Sequence, residues 1–243
     1  MVPLFIDPVY FWYVFVPTLL ISGGVQLYLK SSFSTWSQKR NSTGQTGLQV
    51  GQQLFSRTDL KAIPLERTPG VLSDHFDPRA NVVRLSDPIA NQPSVAAMAV
   101  TAHELGHVQQ YQTGSGLIAA RNFLLPALQF SPTLSYISIL MGLVFNMTNL
   151  LWIGIFFFGL MVLFSILTLP VEFDASRRGL KLLREANLLQ TDEDKRGAQQ
   201  VLTAAALTYL AAAITSILQL LYYISIAQRR QRAQLLRIDE LQH

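Results

Sequence analysis

Apolar positions gather along this chain into stretches long enough to cross a bilayer as helices, with polar segments between them. The first stretch covers residues 9–29. At 1.5 Å per residue it reaches about 30 Å, the thickness of a hydrocarbon core. Tyr10, Phe11, Trp12 and Tyr13 open it in the manner of an interfacial aromatic belt. No Lys or Arg precedes it and no small-residue cleavage site is evident, so the expectation is a retained anchor. A long apolar block, 132–171, is interrupted by Asn146-Met147-Thr148-Asn149. Its halves, roughly 125–145 and 150–171, predict the arms of a transmembrane hairpin whose ends return to the same side. A fourth stretch, 201–227, carries Gln219, which would prefer a bundle interior.

The polar segments predict smaller elements. Asn41-Ser42-Thr43-Gly44 is a turn cluster. Thr46 and Gln49 form a capping-box pair that predicts a helix through Leu54. Residues 70–75 and 81–86 read as two short strands joined through Asp77-Pro78-Arg79-Ala80-Asn81. A helix is expected over 94–112, capped by Ser94, and Thr113-Gly114-Ser115-Gly116 ends it. An interfacial helix over 117–128 carries Arg121, and another helix begins at Thr191 with Asp192, Glu193 and Asp194 in its first turn.

Composition supports the membrane reading. Half of the residues are hydrophobic and 14% are charged, against about 25% in ordinary soluble domains. The net charge of +4 reads as orientation charge beside membrane spans, and no aromatic-basic interleaving supports a nucleic-acid partner. The chain has no cysteine, so disulfides and thiolate metal sites are excluded.

Candidate chemistry lies in the 94–112 helix. His103-Glu104-Leu105-Gly106-His107 has the form H-E-x-x-H. Positions i and i+4 share a helical face, so His103 and His107 can offer two imidazoles to one metal ion. Glu104 stands beside them as a general base. With four His and six Glu in the chain, chance would produce this pattern roughly 0.002 times. Without cysteine, zinc would need His and carboxylate ligands. Glu172, the acidic residue nearest the end of the hairpin, is the expected third ligand, leaving one position open for water. Asp174 is the runner-up, on a different helical face. Arg177 and Arg178 read as membrane-surface charges first and as ligand-orienting groups second. His75 reads as a loop residue, with ligand and oxyanion roles as the alternatives, and Tyr111 is a second oxyanion candidate. The strand 82–86, with Val83 and Arg84, is a candidate edge for aligning an extended substrate, with an ordinary hairpin of no ligand role as the equal alternative. The fold class is therefore mainly α: a multi-span transmembrane helical bundle with a zincin-like catalytic region made of the H-E-x-x-H helix and a small β-hairpin. The expected division is 1–29 as anchor, 30–128 as the zincin-like region, 129–171 as the transmembrane hairpin, 172–198 as the third-ligand helix, and 199–243 as the fourth apolar helix and basic tail.

Six segments carry a family resemblance: Asp7-Pro8, Arg40-Asn41-Ser42-Thr43-Gly44, Leu72-Ser73-Asp74-His75-Phe76-Asp77-Pro78, Val82-Val83-Arg84-Leu85-Ser86, Ala102-His103-Glu104-Leu105-Gly106-His107 and Leu169-Pro170-Val171-Glu172-Phe173-Asp174-Ala175-Ser176. Through them the chain resembles the YugP-type membrane zinc metallopeptidases of bacteria, with a more distant similarity to HtpX-like and prenyl-protein proteases. The resemblance implies a membrane-embedded zinc peptidase with His103, His107 and Glu172 as ligands and Glu104 as base. The distant relatives place an Asp four residues after the ligand Glu, where it steadies a ligand His. Here that position is Ser176, so Ser176 or Asp174 takes that duty.

The expected partners are a polypeptide substrate, drawn also from membrane proteins, and the lipid bilayer. The charges near span ends (Lys30, Lys39, Arg40, Arg121, Arg177, Arg178 and Lys181) favour an active site on the cytoplasmic side of a bacterial inner membrane; the basic tail then lies outside against the positive-inside rule, unless the fourth stretch does not cross fully. Two other classes compete. A metal-binding membrane scaffold or chaperone would have no use for Glu104. A transporter would carry ionisable residues inside the spans, and Asp, Glu, Lys, Arg and His are absent from all four stretches.

Overall fold

The structure, a computed structural model, describes residues 7–241. The first six residues of the expected anchor and the last two of the tail lie outside them. The described residues form two compact units. One comprises the residues up to Gly23, Ala120–Thr168 and those from Leu210 onward; the other comprises Gly24–Ala119 and Leu169–Tyr209.

Three helices are long and apolar enough to cross a membrane: Pro8–Gln38, Thr148–Glu185 and Asp192–Arg237. The first is built from α1 (Pro8–Tyr10), a π-helical turn at Phe11–Phe15, and α2 (Val16–Gln38). Asp7 caps it by accepting a hydrogen bond from the Val9 amide, and Pro8 supplies a first-turn position that needs no N–H. A fourth span exists only if α6 (Gly116–Leu128) and α7 (Ser131–Val144) are counted as one, and they are bent by 50° at their junction. The expected arm over 125–145 is therefore broken. Pro132 lacks the amide that would continue the helix, and its ring crowds the preceding turn. The other arm runs on past 171. Helix α8 (Thr148–Glu185) continues through Pro170, so Glu172 and the apolar arm share one helix. Helix α9 (Asp192–Leu241) closes the chain.

In the first unit, Gly142 and Gly154 let α7 and α8 pack closely: added Cβ atoms would lie 2.7 Å from the Leu151 amide nitrogen and 2.6 Å from an Ile139 side-chain carbon. Asn146 takes a left-handed φ of 56° in the turn between them. Tyr222 on α9 donates its hydroxyl to the Asp7 carboxylate at 3.0 Å, fastening the start of the chain to the last helix.

In the second unit, α3 (Gly47–Arg57) begins with the capping box formed by Thr46 and Gln49. The sheet has the order β1-β3-β2, with β1 (Leu65–Thr68) parallel and β2 (His75–Asp77) antiparallel to β3 (Val82–Ser86). The first expected strand starts later than 70–75 predicts, because Gly70 and Leu72 have φ of 103° and 58°, outside the extended region. Strand β1 was not anticipated; its four residues lie between Pro64 and Pro69 and are too short to show an alternation. A short helix, α4 (Asp87–Asn91), leads to α5 (Val95–Gln112). Ser94 caps α5 by accepting from the Ala97 amide. Leu54, Leu85, Met98, Leu105, Leu182 and Leu183 are fully buried in the shared core of α3, β3, α5 and α8.

Asn41 pins the start of α5. Its amide group donates to the carbonyls of Gln45 at 2.8 Å and Ser94 at 3.1 Å, and its Oδ1 accepts from Thr43 and from the Gln45 amide. Next to it, Ser42 donates to Asp194 at the start of α9 through both its amide and its hydroxyl. Asn41→Ala is expected to cost about 2–3 kcal/mol, because it strands buried backbone partners. Thermal unfolding of the detergent-purified protein measures this, and an unchanged midpoint would deny Asn41 that role.

Candidate metal centre

Two helices of the second unit build the site. Helix α5 carries His103, Glu104 and His107, and the polar part of α8 carries Glu172, Asp174, Ser176 and Arg178. The helices run antiparallel with their main chains in contact. A Cβ on Gly106 would lie 2.2 Å from the Ala175 carbonyl oxygen, and one on Gly179 would lie 2.6 Å from the Ala102 carbonyl oxygen. Ala102 and Gly106, like Ala175 and Gly179, are small residues four apart, the spacing that permits close approach of helices.

This approach brings Glu172 against the imidazoles. Glu172 Oε2 lies 3.4 Å from His103 Nε2 and 3.6 Å from His107 Nε2. One ligand atom from each of the three residues falls within 4.8 Å of the others. Tetrahedral zinc with bonds of about 2.0–2.1 Å separates neighbouring ligand atoms by about 3.3 Å, so the spacing fits a metal held among them. The group is well covered: the side chain of Glu172 is 6% exposed and those of the two His are 14% and 15% exposed.

The hydrogen bonds behind the imidazoles decide which nitrogen faces the centre. The Gln110 amide nitrogen donates to the Val171 carbonyl and to Asp174 Oδ2, both at 2.8 Å. Two acceptors fix that end as the NH₂, which turns Oε1 toward His107 Nδ1 at 3.0 Å. Nδ1 must then carry the proton and donate, and Nε2 presents a lone pair to the centre. On the other imidazole, His103 Nδ1 lies 3.2 Å from the Ser176 hydroxyl. Both alternatives for the missing Asp thus have a place, with Ser176 against His103 directly and Asp174 behind His107 through Gln110. Arg178 completes the chain by donating from Nε to Asp174 Oδ2 at 2.7 Å. It orients this network rather than standing as a free surface charge.

Burial by itself would raise the Glu172 pKa, but the nearness of the His103 and His107 imidazoles outweighs it and holds the carboxyl at about 2. Burial works to lower the His107 pKa, yet the nearby carboxylates of Glu172 and Glu104 leave it raised. Burial likewise opposes ionisation of Asp174, and the bonds from Gln110 and Arg178 hold its pKa below the usual range. Glu104 is 7% exposed. Among the described residues no donor bonds its carboxylate, which leaves that group free to act on a ligand.

The remaining candidates have contacts of their own. His75 is exposed at the start of β2, and its Nδ1 lies 2.8 Å from the Ser73 carbonyl. Tyr111 lies one turn beyond His107 on the same face of α5, is half exposed, and packs its ring against Phe76. Val83 is fully buried, and Arg84 is bonded to Asp77 and Glu66. The edge role expected of Val83 and Arg84 does not hold. Strand β3 is central and paired on both sides, and the outer strands are β1 and β2. Gln110, Gly106 and Gly179 were not singled out from the sequence. Small residues four apart beside both ligand positions were the signal available for the glycines, whereas Gln110 carried none, since only its burial marks it.

The family model described as "Putative neutral zinc metallopeptidase" matches residues 11–228. A curated relative, "Putative membrane protease YugP" of Bacillus subtilis (strain 168), is 35% identical over 216 residues, which is 89% of this chain and 96% of the relative. No solved structure matches the chain.

The helix crossing can be tested with two glycines. Gly106→Ala should force α5 and α8 apart, costing about 1–3 kcal/mol as overpacking does, and should lower metal retention. Gly159→Ala, with nothing within 4 Å of the added carbon, should be neutral or stabilising by up to about 1 kcal/mol. Unfolding midpoints and metal content of both variants read the contrast, and equal behaviour would refute the crossing as a constraint.

Proposed function

Because the chain belongs to the family described as putative neutral zinc metallopeptidases, we propose that it is a membrane-embedded zinc-dependent endopeptidase. It hydrolyses peptide bonds at or near the membrane surface. The observation that carries this reading is the meeting of His103, His107 and Glu172 beside a buried Glu104 with no structural bond. His103, His107 and Glu172 hold the ion. Zinc, when bound, supplies a Lewis acid that activates a water molecule and polarises the scissile carbonyl.

The chain's own residues do the rest. Glu104 accepts the proton of the attacking water and returns it to the departing amine, so the C–N bond breaks to a carboxylic acid and an amine. Ser176 and Gln110 hold the two imidazoles in the tautomer that ligation needs. Tyr111, on the ligand face of α5, donates to the developing oxyanion. The outer strands β1 and β2 offer the backbone pairing that β3 does not. Membrane embedding is supported by the three long apolar helices and by exposed apolar residues along them such as Trp12, Leu20 and Phe156. Lys30, Lys39, Arg40, Arg177, Arg178 and Lys181, on the site's side of those helices, favour a cytoplasmic site, while the arginines at the far end of α9 oppose it. A non-catalytic scaffold is the weaker reading, because it gives Glu104 nothing to do.

Glu104→Gln is expected to keep one zinc per chain and lose peptidase activity by at least about 100-fold. Metal analysis beside a fluorogenic-peptide assay checks this, and a variant as active as the parent would refute the mechanism. Zinc affinity should also depend on pH. The raised His107 pKa means that a proton competes with the metal from above the ordinary value of 6.5. Affinity should therefore fall as pH drops through that range, by about tenfold per unit below the pKa. Chelator-competition titrations across pH measure the slope; a flat profile would contradict His107 as a ligand.

A further inference from the structure

Helix α9 changes character after Ala227, where Arg229, Arg230, Arg232 and Arg237 follow the apolar stretch. Among the described residues, no carboxylate pairs with any of them. Arg230 reaches across to the end of α7. Its Nη1 donates to the carbonyls of Gly142 at 3.3 Å and Leu143 at 3.2 Å, and to Asn146 Oδ1 at 3.1 Å. All three bonds use Nη1, so Nε and Nη2 remain as donors. Gln234 is held by the Asn146 carbonyl and by Thr148. Residues 230, 234 and 237 share one helical face. With Ala233 and Asn146 they line a cavity of about 240 Å³.

Two guanidinium groups with no carboxylate partner among the described residues, at one small cavity, make an anion site, and their forked donors suit a phosphate. A second cavity, of about 210 Å³, follows one face of α7 past Ser135, Tyr136, Ile139, Leu140 and Leu143, with Phe158 as a wall. Its lining on α7 runs from Pro132 to Leu143, which is about 17 Å of helix. The two features adjoin at the last turn of α7: the Leu143 side chain lines the groove while its carbonyl accepts from Arg230. A phosphate site at the end of α7, beside a mainly apolar groove along that helix, has the form of a phospholipid.

We propose that this cleft binds one anionic phospholipid, with its phosphate on Arg230 and Arg237 and one acyl chain along α7. Basic pockets between spanning helices bind anionic headgroups by this chemistry. The proposal rests on the membrane-spanning part of the functional reading and not on the peptidase chemistry.

The test uses the full chain in nanodiscs of phosphatidylcholine, alone or mixed with phosphatidylglycerol, with native mass spectrometry counting the lipid that stays bound. One phosphatidylglycerol per chain should be retained in preference to phosphatidylcholine. Arg237→Gln, at an exposed position, should weaken retention about five-fold, and adding Arg230→Gln should weaken it further. Arg229→Gln with Arg232→Gln removes the same charge outside the cavity and should leave retention unchanged. Leu140→Trp should weaken it by filling the groove. Equal loss in both arginine pairs, equal retention of the two lipids, or full displacement by inorganic phosphate at millimolar concentration would each overturn the proposal. A chain that fails to enter nanodiscs would remove the membrane reading and this proposal with it; entry without lipid preference removes the proposal alone.

Discussion

Where α5 crosses α8, main chain rests on main chain. Gly106 leaves the Ala175 carbonyl oxygen where a Cβ would clash at 2.2 Å, and Gly179 does the same for the Ala102 carbonyl at 2.6 Å. A glycine inside a helix costs about 1 kcal/mol relative to alanine, and both helices accept that cost at the crossing. What they gain is reach. Packed helices usually stand 8–10 Å apart. The closer contact lets a short carboxylate on one helix meet two imidazoles on the other, with the three side chains largely shielded from water. The candidate centre is thus a product of backbone proximity first and of ligand identity second.

Proximity alone would not make a good ligand set, because each imidazole must also turn the correct nitrogen inward. The partly buried chain from Arg178 through Asp174 and Gln110 to His107 settles that for one ring, since the Gln110 NH₂ meets two acceptors and so turns its oxygen to the ring. Ser176 serves the other ring with a hydroxyl instead of a carboxylate. The two imidazoles therefore have different partners, one linked to a charged network and one to a neutral group. The same α8 that carries these groups begins as a long apolar helix, so the placement of the site and the apolar character of the chain come from one continuous element.

Much of this is legible in the residues. The 3.6-residue period puts His103 and His107 on one face, Ser94 marks the start of their helix, and Thr46 with Gln49 marks the start of α3. Glu172 could be singled out because it is the first acid after a long apolar run. The parts that escape sequence reading are those set by tertiary contact. Strand β1 is four residues between prolines, with no room for a pattern. Strand β3 looks like one arm of a hairpin until β1 adds to its other side and closes the edge offered to a substrate. Gln110 is an ordinary polar residue in sequence, and only its complete burial reveals that it holds a ring. The bend between α6 and α7 also depends on context, because Pro132 could begin a helix or kink one.

Zinc K-edge X-ray absorption of the purified, zinc-loaded chain tests the central claim most directly. The account predicts one zinc per chain in a four-coordinate N/O shell at about 2.0–2.1 Å, with outer-shell scattering from two imidazoles. In Glu172→Gln the shell should lose its carboxylate contribution while keeping both rings. A spectrum showing fewer than two imidazoles, or one left unchanged by Glu172→Gln, would contradict it.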